Sequence, residues 1–69
     1  MNQNSKINIA NNIQKLRKKK RITKENLSLT LGFDNSYISK LENQKMNITI
    51  EKLDKIANYF EIETYKLLK

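Results

Sequence analysis

The only glycine of this 69-residue chain, Gly32, separates two stretches whose apolar residues repeat at helical spacing, and the chain contains no proline. Leu27 and Leu31 precede the glycine at i and i+4, and Ile38 and Leu41 follow it at i and i+3. Apolar residues three or four positions apart lie on the same face of an α-helix. The sequence therefore predicts two short helices that meet at Gly32 and share one core.

The connection between these two predicted helices consists of Gly32, Phe33 and Asp34. Such a tight reversal requires a residue with positive φ just after the first helix, and glycine adopts positive φ without a steric penalty. Ser28, four residues before Gly32, supplies a small side chain where the helices cross, and Phe33 can enter the core. This arrangement is a helix-turn-helix, although the same residues could build an αα-corner in another small bundle.

Helical patterns on both sides of this pair indicate an all-α chain. Ile9, Ile13 and Leu16 fall at i, i+4 and i+7, which predicts a first helix that ends near residue 20. A fourth helix is predicted from residue 50 and a short fifth helix over residues 62–68, and no sustained period-two alternation indicates a strand. The apolar stripe of the fourth helix consists of Ile50, Leu53, Ile56, Ala57 and Phe60.

Polar residues ahead of three of these helices can accept hydrogen bonds from the free N–H groups of the first turn. They are Thr23 for the second helix, Asp34 for the third and Thr49 for the fourth. The sequence thus predicts a compact five-helix bundle over residues 9–69, in which the second and third helices form the helix-turn-helix. Residues 1–8 are expected to be a flexible segment.

The residue types that the chain lacks exclude several classes of protein. Without histidine, cysteine or clustered carboxylates it has no candidate catalytic group or metal site, so we expect neither an enzyme nor a cofactor. No apolar run approaches the roughly 20 residues of a membrane span, and the N-terminal residues lack the apolar region of a signal peptide. We therefore expect a soluble, cytoplasmic protein.

The net charge of +7 is concentrated at one end of the chain. Residues 1–23 carry seven basic residues and no acid, and the rest is neutral; the densest block, KLRKKKR, covers residues 15–21. Such a block can be a solvated face, or it can bind nucleic acid or an acidic membrane surface. The block lacks the Trp or Phe that would insert into a membrane, and the chain shows no aromatic platform for RNA.

The stretch SYISKLEN combines core, polar and charged residues in the order typical of one family. Residues 24–43 resemble the twenty-residue helix-turn-helix unit of the Cro/phage-repressor family, and residues 9–68 resemble its lambda-repressor-like domain. Ser28 stands at the small-residue position of that unit and Gly32 at its turn. The chain departs from the family at Lys24, where a polar residue such as Gln is usual, at Gln44, usually Gly, and at Ile48, often Pro.

The resemblance implies that the third helix enters the major groove of double-stranded DNA. On a helical wheel Ile38 and Leu41 point to the core, whereas Ser36, Lys40 and Asn43 lie opposite them, with Asn35, Tyr37 and Ser39 on the flanks. The family's base-reading positions fall on Asn35, Ser36, Tyr37 and Lys40. Phosphate contacts are expected from Arg17, Lys24, Ser39, Asn43 and Lys45.

The family pattern also implies structural roles for four residues. It pairs Arg17 with Glu42, so we predict a partly buried salt bridge that ties the first helix to the third. The other two structural residues are Ser28, which lies where the helices cross, and Gly32, which forms the turn.

A module with one recognition helix reads too few base pairs for selective binding, so we predict a homodimer on a palindromic operator. The predicted dimer interface consists of Ile62, Tyr65, Leu67 and Leu68, although Ile62 and Leu67 could instead close the monomer's own core.

The biological role implied by the resemblance is that of a small stand-alone transcriptional regulator without a membrane partner or small-molecule ligand. SYISKLEN and NITIEKL look most like the controllers of restriction–modification systems, which regulate their own promoter as activator and repressor. Cro-like phage repressors and antitoxin-type autoregulators are the alternatives. RNA polymerase is a further candidate partner.

Overall fold

The computed structural model describes residues 3–69, and Met1 and Asn2 lie outside the described residues. Four α-helices follow one another and a single 3-10 turn ends the chain. The helices are α1 (Gln3–Lys20), α2 (Lys24–Thr30), α3 (Tyr37–Glu42) and α4 (Ile50–Tyr59), and the C-terminal 3-10 helix covers Thr64–Leu67. The all-α prediction agrees with this structure, in which residues 3–69 contain no strand.

The fifth α-helix predicted over residues 62–68 is replaced by that 3-10 helix. Lys66 and Leu68 donate their N–H groups to carbonyls three residues earlier, which is the 3-10 pattern. The amide of Asn12 on α1 donates to the carbonyls of Lys66 and Leu67, at 3.2 and 2.9 Å. Side chains of α1 therefore satisfy carbonyl groups that a single turn leaves free.

The first helix begins earlier than the apolar pattern predicts. Residues 3–8, which the sequence analysis assigns to a flexible segment of residues 1–8, are helical, and the rest of that segment lies outside the described residues. The Asn8 amide donates to the carbonyl of Leu68 at 3.0 Å. This bond and those of Asn12, one turn later, attach α1 to the C-terminal end of the chain.

The core receives apolar side chains from all four α-helices and from the 3-10 helix. Ile50 departs from the predicted stripe because it is 62% exposed at the first position of α4, and Ile48, just before the helix, is buried instead. The buried apolar cluster is formed by Ile9, Ile13, Leu27, Leu31, Tyr37, Ile38, Leu41, Ile48, Leu53, Ile56, Ala57, Phe60 and Leu67.

All four α-helices end in the same backbone conformation. A residue with positive φ follows α1 directly and follows the C-cap residue of α2, α3 and α4, and in each case the next N–H donates to the carbonyl five residues earlier, as in a Schellman motif. Only one of these four residues is a glycine. The positive φ values are 59° at Arg21, 78° at Gly32, 61° at Gln44 and 58° at Glu61.

Glycine is favoured at position 32 by the positive φ and not by lack of space. A Cβ added there would lie 3.6 Å from Lys55 Nζ, which is an ordinary contact. The other three positions accept a side chain in the left-handed region, where an L-residue is less stable by roughly 1–2 kcal/mol. Gln44 therefore keeps the turn after α3 although the related family usually has glycine there.

We predict that glycine has opposite effects on the free energy of unfolding at two exposed positions, one within α4 and one just after it. Glu61→Gly relieves the left-handed conformation and should raise the free energy of unfolding by about 0.5–1 kcal/mol, after the greater freedom of glycine in the unfolded chain is subtracted. Glu51→Gly, the same chemical change inside α4, should lower it by about 1 kcal/mol. Urea unfolding followed by circular dichroism measures both, and equal losses in the two variants would contradict the proposed relief.

Candidate nucleic-acid interface

A buried serine joins the two helices of the helix-turn-helix. Ser28 on α2 is fully buried, and its hydroxyl donates to the carbonyl of Lys24 at 2.8 Å. The same oxygen accepts the backbone N–H of Ile38, near the start of α3, at 3.0 Å. Ser28 thus satisfies an N–H group that a capping residue of α3 would otherwise bind. The predicted small-residue position therefore also carries a hydrogen bond between the helices.

The capping role that the sequence analysis assigns to Asp34 is wrong. Helix α3 begins at Tyr37, and Ser36 occupies its N-cap position without a capping hydrogen bond from its side chain. The Asp34 carboxylate instead accepts the Ser36 hydroxyl at 2.9 Å, and the Asp34 carbonyl accepts the N–H of Tyr37. Asp34 lies two residues before the N-cap position, and the N–H of Ile38, which a cap at Ser36 would accept, is bound by Ser28.

The four predicted base-reading residues occupy different environments. Asn35 and Lys40 are exposed, and Ser36 is partly exposed just before α3. Tyr37 is only 7% exposed, which differs from the flank position that the helical wheel assigns to it. The structure thus places Asn35, Ser36 and Lys40 on the outside of the helix-turn-helix and Tyr37 within its packing.

Tyr37 packs in a small stack of aromatic rings and lysines that sequence reasoning missed. Its ring centroid lies 4.5 Å from that of Phe33, and Lys52 Nζ lies 5.0 Å from the Tyr37 centroid. Lys55 Nζ lies 5.4 Å from the Phe33 centroid. Cation–π contacts of this kind connect α4 to the start of α3. The i, i+3 spacing of Lys52 and Lys55 predicts that both lysines lie on one face of α4, but the sequence does not show which aromatic rings they contact.

The buried hydroxyl of Tyr37 has no hydrogen-bond partner among the described residues. Burial raises the pKa of this phenol above its ordinary value, because the apolar surroundings disfavour the charged form. The group therefore stays neutral at physiological pH.

The predicted phosphate-binding residues are also divided by their burial. Lys24 lies partly exposed at the first residue of α2, Asn43 and Lys45 are exposed after α3, and Ser39 is partly buried. Arg17 is only 8% exposed and is held by other groups of the protein, so its position does not favour the predicted phosphate contact.

The predicted salt bridge between Arg17 and Glu42 is present. Arg17 Nε lies 2.7 Å from Glu42 Oε2, and Nη2 lies 3.2 Å from Oε1, which makes the pair bidentate. Arg17 Nη1 also donates to the carbonyl of Ile22 at 2.9 Å. The two side chains are 10% and 4% exposed. One guanidinium therefore fixes α3 and the loop after α1 relative to α1.

The residues predicted for a dimer interface do not form one exposed cluster. Leu67 is fully buried in the monomer's core, so its assignment to the interface is wrong. Ile62 and Leu68 are partly buried against that core, and Tyr65 is 52% exposed. The available apolar surface thus centres on Tyr65, whose ring lies 5.0 Å from Lys69 Nζ.

Basic side chains cover the exposed end of α1. Lys18, Lys19, Lys20 and Arg21 are all exposed, and Lys20 Nζ lies 5.5 Å from the Tyr59 ring. Over residues 3–69, no helix combines the length and apolar character of a membrane span. The same residues contain no group of three His, Cys, Asp or Glu side chains that could hold a metal ion.

The helix-turn-helix family model matches residues 13–67, which includes α2, the turn and α3. The chain belongs to the Cro/repressor-type helix-turn-helix family. Membership agrees with the geometry, because the matched segment contains the buried serine, the positive-φ glycine and the exposed polar positions around α3.

Proteins similar to this chain include a control protein, a restriction–modification controller protein and a hypothetical transcription factor. Control protein C.MunI from Mycoplasma sp is 36% identical over 53 residues, which cover 75% of this chain and 72% of C.MunI. The controller protein C.AhdI from Aeromonas hydrophila superposes with a TM-score of 0.80 at 25% identity, covering 91% of each chain. A hypothetical transcription factor, NHTF from Neisseria, superposes with a TM-score of 0.89 at 28% identity, covering 94% of this chain and 75% of NHTF.

We predict that breaking the buried ion pair costs more than removing it. Glu42→Ala leaves the Arg17 guanidinium buried without a counter-charge and should lower the free energy of unfolding by about 3 kcal/mol. The double variant Arg17→Met, Glu42→Leu removes both charges and should lose less than Glu42→Ala alone. Chemical unfolding measures these values, with Glu63→Ala as an exposed control expected within about 0.5 kcal/mol of the wild type. If the double variant lost as much as the sum of Arg17→Met and Glu42→Leu measured singly, the two charges would not be coupled.

Proposed function

We propose that this protein is a sequence-specific double-stranded DNA-binding transcriptional regulator that places α3 in the major groove. The observation that carries this proposal is the division of α3 into two faces. Tyr37, Ile38 and Leu41 are buried, whereas Lys40 and Asn43 are exposed and Ser36 is partly exposed. The outer face is thus free of the large apolar groups that would hinder entry into a groove.

The chemistry of that outer face suits base recognition. A lysine can donate to guanine O6 and N7, and serine or asparagine can bond several base edges. Lys40 follows Ser36 by four residues, which is about one turn or 6 Å along the helix axis. Both side chains can therefore reach neighbouring base pairs, and Asn35 can extend the contact on the side of the turn.

The exposed lysines and arginine at the end of α1 support attraction to a polyanion. They carry much of the positive excess of the chain, while Arg17 in the same segment is neutralised by Glu42. Charges of this kind raise affinity for all duplexes and make it depend on salt. Lys24, the first residue of α2, and Lys45, which follows α3, are the proposed phosphate contacts.

The proposed biological role is control of a restriction–modification system through the protein's own promoter. The similarity to C.MunI and C.AhdI supports this role over a Cro-like repressor or an antitoxin-type autoregulator. RNA polymerase is the further partner that an activating controller would require. Selection of bound sequences from a random duplex pool, followed by a test of the protein's own promoter region, would distinguish these roles.

We further propose that the regulator binds a palindromic operator as a homodimer. One recognition helix contacts only a few base pairs, and a twofold pair roughly doubles the contact energy. The surface around Tyr65, bordered by the partly buried Ile62 and Leu68, is the proposed interface. Its position on the C-terminal 3-10 helix leaves α3 unobstructed by the residues of the contact.

We predict that Lys40 and Lys45 contribute to DNA binding in different ways. Lys40→Ala should remove the preference at one operator position, at roughly 1–3 kcal/mol for a good base contact. Lys45→Ala should weaken all duplexes about equally and reduce the salt slope by about one unit. Lys66→Ala, which removes the same charge from the C-terminal 3-10 helix, is the control.

Fluorescence anisotropy with operator variants at several salt concentrations separates these effects. An unchanged base preference in Lys40→Ala would contradict the placement of α3 in the groove. Binding to anionic vesicles without binding to any duplex would favour the alternative of a basic membrane-surface module.

We predict that a charge at Tyr65 dissociates the dimer. Tyr65→Asp should give a monomer in sedimentation experiments at micromolar concentration and weaken binding to a palindrome more than binding to a half-site. Ile50→Asp changes another exposed apolar residue, on α4, and should leave the dimer intact. A wild-type monomer, or equal dimerisation of the two variants, would exclude this interface.

A further inference from the structure

The hydroxyl of Ser36 is used in an unusual way for a residue at a helix N-cap. A serine in this position ordinarily accepts an N–H group of the first helical turn. Ser36 accepts none, and the N–H of Ile38 is bound by Ser28 instead. The Ser36 hydroxyl donates to Asp34 Oδ2 at 2.9 Å.

This hydrogen bond fixes the direction in which the Ser36 proton points. An ionised carboxylate can only accept hydrogen bonds, so the proton between the two oxygens comes from the serine. Hydrogen bonds to ionised groups are stronger than those between neutral groups. The Ser36 oxygen therefore presents lone pairs, and not its proton, to a group that approaches from outside.

We propose that Ser36 reads the operator as an obligate hydrogen-bond acceptor and selects an amino group, adenine N6 or cytosine N4. This inference rests on the proposed function. A free serine hydroxyl can bond either donors or acceptors on the base edges. With its proton held by Asp34, Ser36 rejects guanine O6 and N7 and thymine O4, which are acceptors. The negative charge of Asp34 next to the serine oxygen adds to this discrimination.

The distance between Ser36 and Lys40 along the helix also predicts a short base pattern in each half-site of the operator. The two residues lie about 6 Å apart along the helix axis, whereas successive bases of one strand are about 3.4 Å apart. Lys40 is a donor and selects guanine. Each half-site should therefore contain an adenine or cytosine, read by Ser36, within about two base pairs of a guanine read by Lys40.

The first test uses the wild-type protein and the operator recovered by selection. The position read by Ser36 is the one whose preference disappears in Ser36→Ala. Replacing the adenine there by purine, or the cytosine by pyrimidin-2-one, removes only the amino group. The wild type should lose about tenfold in affinity, and Ser36→Ala should lose nothing further.

The second test removes the requirement that the Ser36 hydroxyl donate its hydrogen bond to residue 34. An asparagine amide can donate as well as accept, so Asp34→Asn lets the Ser36 hydroxyl donate to a base. This variant should tolerate guanine or thymine at the Ser36 position, and the tenfold discrimination should fall to about twofold or less. Base preference is the readout because the added positive charge raises affinity for every duplex.

The matched control is Asp54→Asn, which changes charge equally and alters a similar hydrogen bond elsewhere. Asp54 Oδ1 on α4 accepts the hydroxyl of Thr64 at 2.6 Å. This variant should keep the discrimination of the wild type. A preference for guanine or thymine at the Ser36 position, unchanged preferences in Ser36→Ala, or full discrimination in Asp34→Asn would overturn the inference. Absence of binding to any duplex would instead refute the proposed function.

Discussion

The orientation of α3 depends on the buried ion pair between Arg17 and Glu42. Helix α3 has six residues and is far shorter than a helix that is stable by itself, so its position must come from tertiary contacts. The core supplies part of these contacts through Ile38 and Leu41, but apolar packing is not directional. The bidentate pair adds direction, because the planar guanidinium binds the end of α3 and the Ile22 carbonyl in one fixed geometry. A charge that would suit DNA attraction is thereby used to hold the helix that we propose enters the groove.

Ser28 provides the corresponding connection at the other end of α3. Its oxygen binds the N–H of Ile38, and this leaves the hydroxyl of Ser36 available to Asp34. A buried residue of α2, Ser28, thus influences which hydrogen bonds an outer residue, Ser36, can form. A substitution of Ser28 would thus affect base recognition as well as packing, although Ser28 itself has no access to DNA. The lysines of α4 that lie over Phe33 and Tyr37 support the same end of α3 from a third element.

Much of the fold could be predicted because helical periodicity and the lone glycine are local signals. The stripes of Ile9 and Ile13, Leu27 and Leu31, and Ile38 and Leu41 are all buried, and the resemblance to the family identified the Arg17–Glu42 pair. The errors concern the ends of short elements, where the sequence pattern does not fix the boundary. Helix α3 begins at Tyr37, so its N-cap is Ser36 and the Asp34 carboxylate accepts the Ser36 hydroxyl instead, and residues 64–67 form a 3-10 helix and not an α-helix. For the site, the helical wheel placed Lys40 and Ser36 on the outer face, where they are exposed or partly exposed, but it placed Tyr37 on a flank because it could not show that Phe33 and Lys52 cover that ring.

Under the proposed function, the distribution of charge separates affinity from specificity in this small protein. The positive excess belongs to residues 1–23, whereas the remainder, which contains α3 and the residues before it, is neutral. Exposed lysines at the end of α1 act at a distance and do not distinguish one sequence from another. A nearly neutral recognition segment adds little to such non-specific attraction, so the few groups that touch bases decide the preference. The acid at Asp34 is consistent with this arrangement: it would weaken binding to phosphate, yet beside Ser36 it limits which base edge can be accepted. The ion pair of Arg17 with Glu42 joins α1, which carries the exposed basic block, to α3, which carries the proposed base-reading residues, and so holds these two sets of side chains in one geometry.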